Sequence, residues 1–315
     1  WNAAWKDASY FEIARIETIR GEYEKALESV EKSLTRNWHH HKARQLKCSL
    51  LRKMKYNEKA VAFADASLEI DSFNMGCRYE RYLASGENSD LEKLKELMRD
   101  WSHGYIEYAL DFVAGGLYEE AAGLLGLYLQ DVEKVYPIIY YLLGYICMKQ
   151  SNPSLAQEYF VKAEKCDSAY CFPNRIEEVL ILQEAVRQNP SDAKSFYYLG
   201  NFWYASRRYE NAVSCWEQSA TIDPEFPTVW RTLSLAYYNK CNNREKAVAA
   251  LEKAFALDNT DARILMELDQ LYKKLGRSYA ERLTFLEKHV ALVESRDDLA
   301  LERITLYNQL GRYSE

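Results

Sequence analysis

The feature that most limits how this chain can fold is a spacing of residue types that recurs along it. Starting at Ala193, Phe196, Leu199, Gly200 and Trp203 are followed by Tyr209, Ala212, Trp216 and Ser219, and Asp223-Pro224 closes the stretch. The first four fall at i, i+3/i+4 and i+7, the apolar stripe of an amphipathic helix, and the second group repeats that rhythm after a short turn. Gly200 and Ala212 are small where two such helices would cross closely. Phe196, Trp203 and Trp216 are expected to fill the wedge between neighbouring hairpins, and Pro224 marks a helix stop because proline cannot continue one. Ala26 and Ala60 stand one 34-residue period apart and take the place of Ala212 in two earlier stretches. Such a period predicts stacked helix pairs, each burying its apolar face against its neighbours.

The period sets out units at 7–40, 41–74, a weaker 75–101 in which Leu94 replaces the small alanine, 102–136 and 137–168. It resumes at 193–226, 227–261 and 262–296, and a remnant at 297–315 repeats the Leu-Gly-Arg of Leu275-Gly276-Arg277 as Leu310-Gly311-Arg312. The 227–261 unit carries one extra residue, expected in the Asn239–Arg244 turn. Residues 169–192 break the rhythm. Tyr170-Cys171-Phe172-Pro173-Asn174 reads as an extended link, because proline disfavours helix in the residue before it. Asn174 is expected to cap a lone helix reaching Gln188, with Glu177 closing a capping box. The chain is therefore divided into an N-terminal array, 1–168, a seam, 169–192, and a C-terminal array, 193–315, that stops in mid-repeat.

Aromatic, Leu-Gly, aromatic, Ala, aromatic, small residue and Pro, at the spacing seen in 193–226, resemble the tetratricopeptide repeat (TPR) at each of its signature positions. The resemblance implies an all-α fold, a right-handed TPR superhelix (an α-α solenoid) of about eight helix-turn-helix repeats with an irregular half-repeat. It further implies a non-catalytic scaffold that binds protein or peptide, with ligands held by outward-facing positions of each first helix.

In the C-terminal array those positions are Lys194, Tyr197, Asn201, Tyr204 and Ala205, then Thr228, Arg231, Leu235, Tyr238 and Asn239, then Arg263, Met266, Gln270, Lys273 and Lys274. The groove they form reads as basic, amide-bearing and rich in Tyr. Its candidate ligand-binding residues are Lys194, Tyr197, Asn201, Tyr204, Arg231, Tyr238, Asn239, Arg263, Gln270 and Lys273. Arg and Tyr are favoured at energetic hot spots, and the guanidinium fork suits carboxylates. An extended acidic peptide or a free carboxylate is the expected ligand, against ordinary solvated helix surface as the plain alternative. Chaperone-binding members of the family hold a carboxylate with Lys and Asn, then Asn, then Lys and Arg. At those places stand Tyr197 and Asn201, Thr232, then Arg263 and Glu267, so only Asn201 matches and that ligand is not implied. Inner positions of the N-terminal array are mixed: Phe11, Arg15, Gln45, Ser49, Arg52 and Lys53, then an apolar run of Ile106, Leu110, Val113, Tyr141, Tyr145 and Met148. That run either receives a partner helix or is covered by the superhelix itself.

Little else in the chain carries chemistry. Net charge is −6, where a nucleic-acid binder would show a basic stripe, so no nucleic acid is expected. No apolar run approaches the 18 or more residues of a membrane span. The start, Trp1-Asn2-Ala3-Ala4-Trp5, has no basic, apolar signal-peptide pattern, and both ends look cut from something longer. Seven cysteines, odd in number and scattered, suit a reducing, cytoplasmic compartment. His39-His40-His41 are adjacent and diverge, and no zinc-like ligand set surrounds them. Glu119-Glu120, Glu177-Glu178 and Asp297-Asp298 read as solvated surface rather than facing acid–base pairs. There is no phosphate loop, triad or cofactor motif, and no cofactor or metal is expected.

A second resemblance covers roughly 170–315. Cys171-Phe172-Pro173-Asn174-Arg175, Asp223-Pro224-Glu225-Phe226-Pro227-Thr228-Val229-Trp230-Arg231, Glu267-Leu268-Asp269-Gln270-Leu271-Tyr272-Lys273, Arg296-Asp297-Asp298-Leu299 and Leu306-Tyr307-Asn308 resemble the TPR region of large bacterial proteins with a β-rich, aldose-epimerase-like N-terminal domain. That resemblance implies a helical part of a bigger protein, which grips either its own missing domain or another polypeptide. The alternative is an accessory region for carbohydrate handling. A homodimer through the truncated C-terminal end is also expected, since a cut array exposes an apolar end face.

Overall fold

The computed structural model describes residues 5–314; residues 1–4, which open the Trp-Asn-Ala-Ala-Trp start, and residue 315 at the far end lie outside them. The described residues form nineteen α-helices and no strand. They fall into two compact units, Trp1–Ala169 and Tyr170–Glu315.

The first unit holds five helix pairs. They are α1 (Lys6–Ile19) with α2 (Tyr23–Arg36), α3 (His41–Lys53) with α4 (Asn57–Ile70), α5 (Met75–Ser85) with α6 (Asn88–Met98), α7 (Ser102–Ala114) with α8 (Tyr118–Asp131), and α9 (Pro137–Lys149) with α10 (Pro153–Lys165). The second unit begins with the unpaired α11 (Ile176–Gln188). Three pairs and a last first-helix follow: α12 (Ala193–Ala205) with α13 (Tyr209–Ile222), α14 (Pro227–Asn239) with α15 (Arg244–Leu257), α16 (Ala262–Lys274) with the broken α17 (Tyr279–Glu287) and α18 (Val290–Glu294), then α19 (Asp297–Gln309).

Local chemistry fixes where these helices start. Asp192 accepts the Lys194 and Ser195 amides, and Asn74, Asn152, Asn243 and Asp261 cap α5, α10, α15 and α16 in the same way. Such side-chain caps satisfy amides that have no partner within the helix. Proline opens α9, α10 and α14, where its missing N–H costs nothing. The capping of α11 differs by one residue from the sequence expectation. Arg175 stays extended at φ −113°, and the Glu178 carboxylate, not Glu177, accepts the Asn174 and Arg175 amides at 2.6 and 2.8 Å. Glu178 is thereby buried, not solvated.

The small positions are required by the packing of each pair. A Cβ on Gly200 would lie 2.3 Å from the Trp216 Nε1, and one on Gly144 would lie 2.4 Å from the Phe160 ring. Trp216 is buried in the wedge, donating from Nε1 to the Tyr197 carbonyl at 3.1 Å, while Phe196 and Trp203 are half-buried. Ala26, Ala60, Ala121, Ala156, Ala212 and Ala247 are buried as the fourth residue of their second helices. At the corresponding place in α17 stands Arg282, buried and paired with the buried Asp269 at 2.6 Å.

Successive repeats of the second unit are also tied by a recurring polar contact. Tyr237 donates its hydroxyl to Glu217 at 2.6 Å, Tyr272 to Glu252 at 2.6 Å, and Tyr307 to Glu287. A basic side chain covers each ring: Lys246, Arg277 and Arg312. Burial, then the neighbouring carboxylate, pushes the Tyr237 and Tyr272 hydroxyls above the ordinary phenol range.

Candidate functional site

On the face shared by α12, α14 and α16, the residues singled out in the sequence divide into a structural set and an open set. Tyr197 is buried, edge-on to Phe226 at 5.1 Å. Burial raises its hydroxyl pKa, partly offset by hydrogen bonds with Asn201 and Thr232. Asn201 bridges the fold: its amide donates to the Cys171 carbonyl at 3.2 Å, and its side-chain carbonyl accepts from Trp216 Nε1 at 3.2 Å. Tyr204 lies against Trp216 and Tyr209, with ring centroids 5.4 and 5.1 Å away. Lys194 sits half-buried in the first turn of α12.

The cationic residues are partly spoken for. Arg231 grips Glu267 with both arms of its guanidinium, Nε donating to Oε2 at 2.7 Å, and the carboxylate holds its pKa up. Lys273 donates to Glu302 at 2.8 Å. Lys274 rests on the Tyr238 ring, 5.3 Å from its centroid, and Arg263 is exposed at the start of α16. Among the described residues, neither of those two has a carboxylate within ion-pair distance.

Between α14 and α16 lies a cleft of about 140 Å³. Leu235, Leu251, Met266 and Leu271 give it an apolar floor, and Tyr238, Asn239, Gln270 and Lys274 stand round it. On α16, Met266, Gln270 and Lys274 follow one another at i, i+4 and i+8, so one helix face presents all three. The cleft thus runs from the neutralised Arg231–Glu267 pair, across an apolar centre, to an unpaired ammonium. Three of the ten residues expected from sequence line it, Tyr238, Asn239 and Gln270; Arg231 is tied to the lining residue Glu267, and Arg263 and Lys273 lie on α16 outside the lining. Lys194, Tyr197, Asn201 and Tyr204 belong to the neighbouring α12. Leu235 and Met266 stand among the inner positions read from the sequence, but the groove reads there as basic, amide-bearing and rich in Tyr, not as apolar-floored.

The same face of the first unit is closed by its own contacts. Arg52 donates to the buried Glu80 at 2.6 Å and to Glu120 at 2.6 Å, and Lys53 joins Glu120 at 2.7 Å. Ser49 completes the cluster by donating to Glu80 at 2.8 Å. Lys42 pairs with Asp111 at 2.6 Å, and Arg15 donates from Nε to the Ala114 carbonyl at 3.2 Å. Glu120 is therefore clasped and buried where the sequence reading put solvated surface. Burial acts to raise its pKa, but the hydrogen bonds from Lys53 and Arg52 outweigh that and lower it. Glu80 shows the opposite balance, with complete burial outweighing Arg52. The apolar run ahead of this cluster is largely covered, since Ile106, Leu110 and Tyr141 are buried.

Two of the three adjacent histidines make separate contacts. His40 Nδ1 accepts the Ala43 amide at 3.2 Å as the cap of α3, and His41 lies 3.5 Å from Asp71. Among the described residues, no group of three or more His, Cys, Asp or Glu is placed to hold a metal ion. No helix among the described residues is long and apolar enough to cross a membrane. All seven cysteines are free thiols.

Comparison with known proteins agrees with this pairing of helices. Two stretches match models of the tetratricopeptide repeat, residues 138–170 and residues 181–228. The first spans α9 and α10, and the second runs from α11 through α13, so the unpaired α11 serves as a second helix ahead of α12. Similar solved structures include the APC/C hetero-tetramer Cut9-Hcn1, with 15% identity over 90% of this chain and 52% of that one, and a TM-score of 0.36. This chain therefore spans about half the length of that relative. YrrB, a TPR protein with an unusual peptide-binding site, shares 21% identity over 76% of this chain and 98% of its own, with a TM-score of 0.28. The C-terminal part of a TPR repeat-containing protein from Cytophaga hutchinsonii shares 16% identity over 81% and 97%, with a TM-score of 0.37. At these TM-scores the repeat assignment rests on the matched stretches and on the helix pairing itself.

Proposed function

We propose that the chain is a non-catalytic scaffold that binds an extended polypeptide segment in the cleft between α14 and α16. The observation that carries this reading is the contrast between the two units. The first unit fills its inner face with a cluster of ion pairs, whereas the second leaves an apolar-floored cleft with amides and one ammonium, that of Lys274, at its rim. Concave apolar sites with a few placed polar groups are the usual form of a binding site. The resemblance of 170–315 to large bacterial TPR proteins supports reading the chain as a helical region of such a protein. A β-rich domain of the same protein is then one source of the segment.

A carbohydrate-accessory role fits less well. Sugar stacking needs open aromatic faces, and the rings on this face are engaged: Tyr204 by Trp216 and Tyr209, Tyr197 by Phe226, Tyr238 by Lys274. Selection from a displayed library of random peptides on the full chain tests the scaffold reading. Peptides are expected to be enriched on the native protein and lost on the Leu235→Glu variant, whose side chain is 39% exposed and tolerates a charge. Enrichment that is absent, or that survives the substitution unchanged, counts against the cleft.

A further inference from the structure

The cleft also specifies what kind of peptide it takes. From its geometry we infer that the bound segment is anchored by one large apolar side chain, with an acidic residue beside it toward Lys274, and is not held as an acidic peptide throughout. This inference rests on the scaffold reading above and narrows it.

Three observations carry it. First, the charge expected to attract carboxylates is largely cancelled within the protein. Glu267 takes both arms of Arg231, and Glu302 takes Lys273. A ligand carboxylate arriving at Arg231 would have to displace Glu267 or sit beside it, which places like charges together. Second, the centre of the cleft is carbon. Its volume of about 140 Å³ is close to that of apolar cavities that admit a benzene molecule, so it suits a Leu, Met or Phe side chain. Met266 on one wall adds an unbranched, polarisable side chain that adapts to different apolar partners. Third, charge is left over at one end only. Lys274 has no acidic partner, and its ammonium lies on the Tyr238 ring at the C-terminal end of α16. A carboxylate one or two residues from the anchor would meet it there. The Gln270 and Asn239 amides flank the same position and can each donate to and accept from an extended backbone.

The occupant is therefore an amphipathic strand from a protein partner, with an apolar residue seated between Leu235 and Met266 and an acid at Lys274. Most of its affinity comes from burying the anchor, so binding depends weakly on salt. A clamp made of carboxylate contacts would weaken steeply as salt screens it.

Fluorescein-labelled nonapeptide pools with a fixed central residue (Leu, Phe, Met, Ala, Asp or Lys) and randomised flanks test this on the full chain by fluorescence anisotropy. Pools centred on Leu, Phe or Met should bind about tenfold more tightly than the Ala pool. Met266→Ala and Leu235→Glu should each remove that preference. Lys274→Ala should abolish the gain from fixing Asp next to the apolar centre, without changing the order among Leu, Phe and Ala pools. Far-UV circular dichroism of each variant checks that the helices persist, and Met266→Leu should retain binding if the site needs only an apolar wall. Tightest binding by the Asp-centred pool, lost on raising the salt, overturns the inference while leaving the scaffold reading intact. Binding without any central preference does the same. Failure of every pool to bind overturns both.

Discussion

The two units use one repeat in two ways. In the first, charged side chains reach across the inner face: Arg52 joins α3 to Glu80 on α5 and to Glu120 on α8, and Lys42 joins α3 to Asp111 on α7. In the second, Arg231–Glu267 and Lys273–Glu302 also join successive first helices, but other ties run through the Tyr237–Glu217, Tyr272–Glu252 and Tyr307–Glu287 contacts, and a cleft stays open between α14 and α16. Where a solenoid spends its polar residues thus decides whether it keeps a groove. The Arg52, Glu80, Glu120 and Lys53 cluster fills the space between its helices, while the single Arg231–Glu267 pair leaves an apolar-floored cleft beside it.

Three perturbations separate the units. The largest effect is expected at Asp269 and Arg282, which are paired and buried where other repeats carry small residues. Arg282→Ala leaves Asp269 buried without its partner and should cost about 3–5 kcal/mol of stability in the second unit. Adding Asp269→Ser restores the small pair seen at Ser234 and Ala247 and should recover most of the loss. Urea unfolding, with hydrogen exchange to locate the melted helices, measures both; additive losses would mean that the two side chains do not act as a pair.

A smaller effect is expected from Tyr272→Phe, which removes one repeat-to-repeat tie without altering the ring. A hydrogen bond to a partly exposed carboxylate is worth about 1 kcal/mol. Faster hydrogen exchange in α16 and α15, with the first unit unchanged, is the expected reading. Exchange that rises equally in both units would contradict the local role given to the tie.

The smallest effect belongs to the first unit and depends on pH. Burial lowers the His40 pKa from its ordinary value near 6.5, against a weaker pull from Asp7, and its Nδ1 must be unprotonated to accept the Ala43 amide. In the unfolded chain the ring gains its proton as pH falls through about 6.5, while the folded ring resists until lower pH. Stability from this group is therefore present above pH 6.5 and lost as pH falls below it. His40→Asn keeps a good cap without a titrating group and should flatten the acid side of the stability profile of α3 by under about 1 kcal/mol. An unchanged profile in thermal melts from pH 7 to pH 5 would show that the cap is not sensitive to the proton.

Much of the helix pairing is legible in the sequence, because it depends on local rules. Gly200 and Gly144 stand where a side chain would strike Trp216 or Phe160, and Asn, Asp and Pro mark the helix starts. The turns between paired helices are less readable. Arg207 takes φ +62° where Gly21 takes +76°, a left-handed geometry that glycine adopts freely and arginine only under strain, so residue type alone does not signal the turn. The charge pairings were not legible at all. Arg52 and Glu120 are 68 residues apart, and their meeting depends on how successive pairs are rotated, which no single repeat encodes. Arg231 looks like a free guanidinium in the sequence for the same reason, since Glu267 lies one repeat away. One signal was available and missed: Tyr and Glu 20 residues apart recur three times in the last repeats.

The buried Asp269–Arg282 pair bears on how this array can change over generations. Helical repeats grow and shrink by unequal recombination, and most breakpoints are harmless because Gly, Ser and Ala substitute for one another at the crossing point. A crossover between α16 and α17 would instead set Arg282 against Ser234 or Gly200, or leave Asp269 facing an alanine. Glu302 on α19 also reaches Arg282, at 2.6 Å, and extends the dependence into the following helix. The three side chains therefore depend on one another across α16, α17 and α19, whereas the crossing points of the two preceding pairs carry only Gly, Ser and Ala.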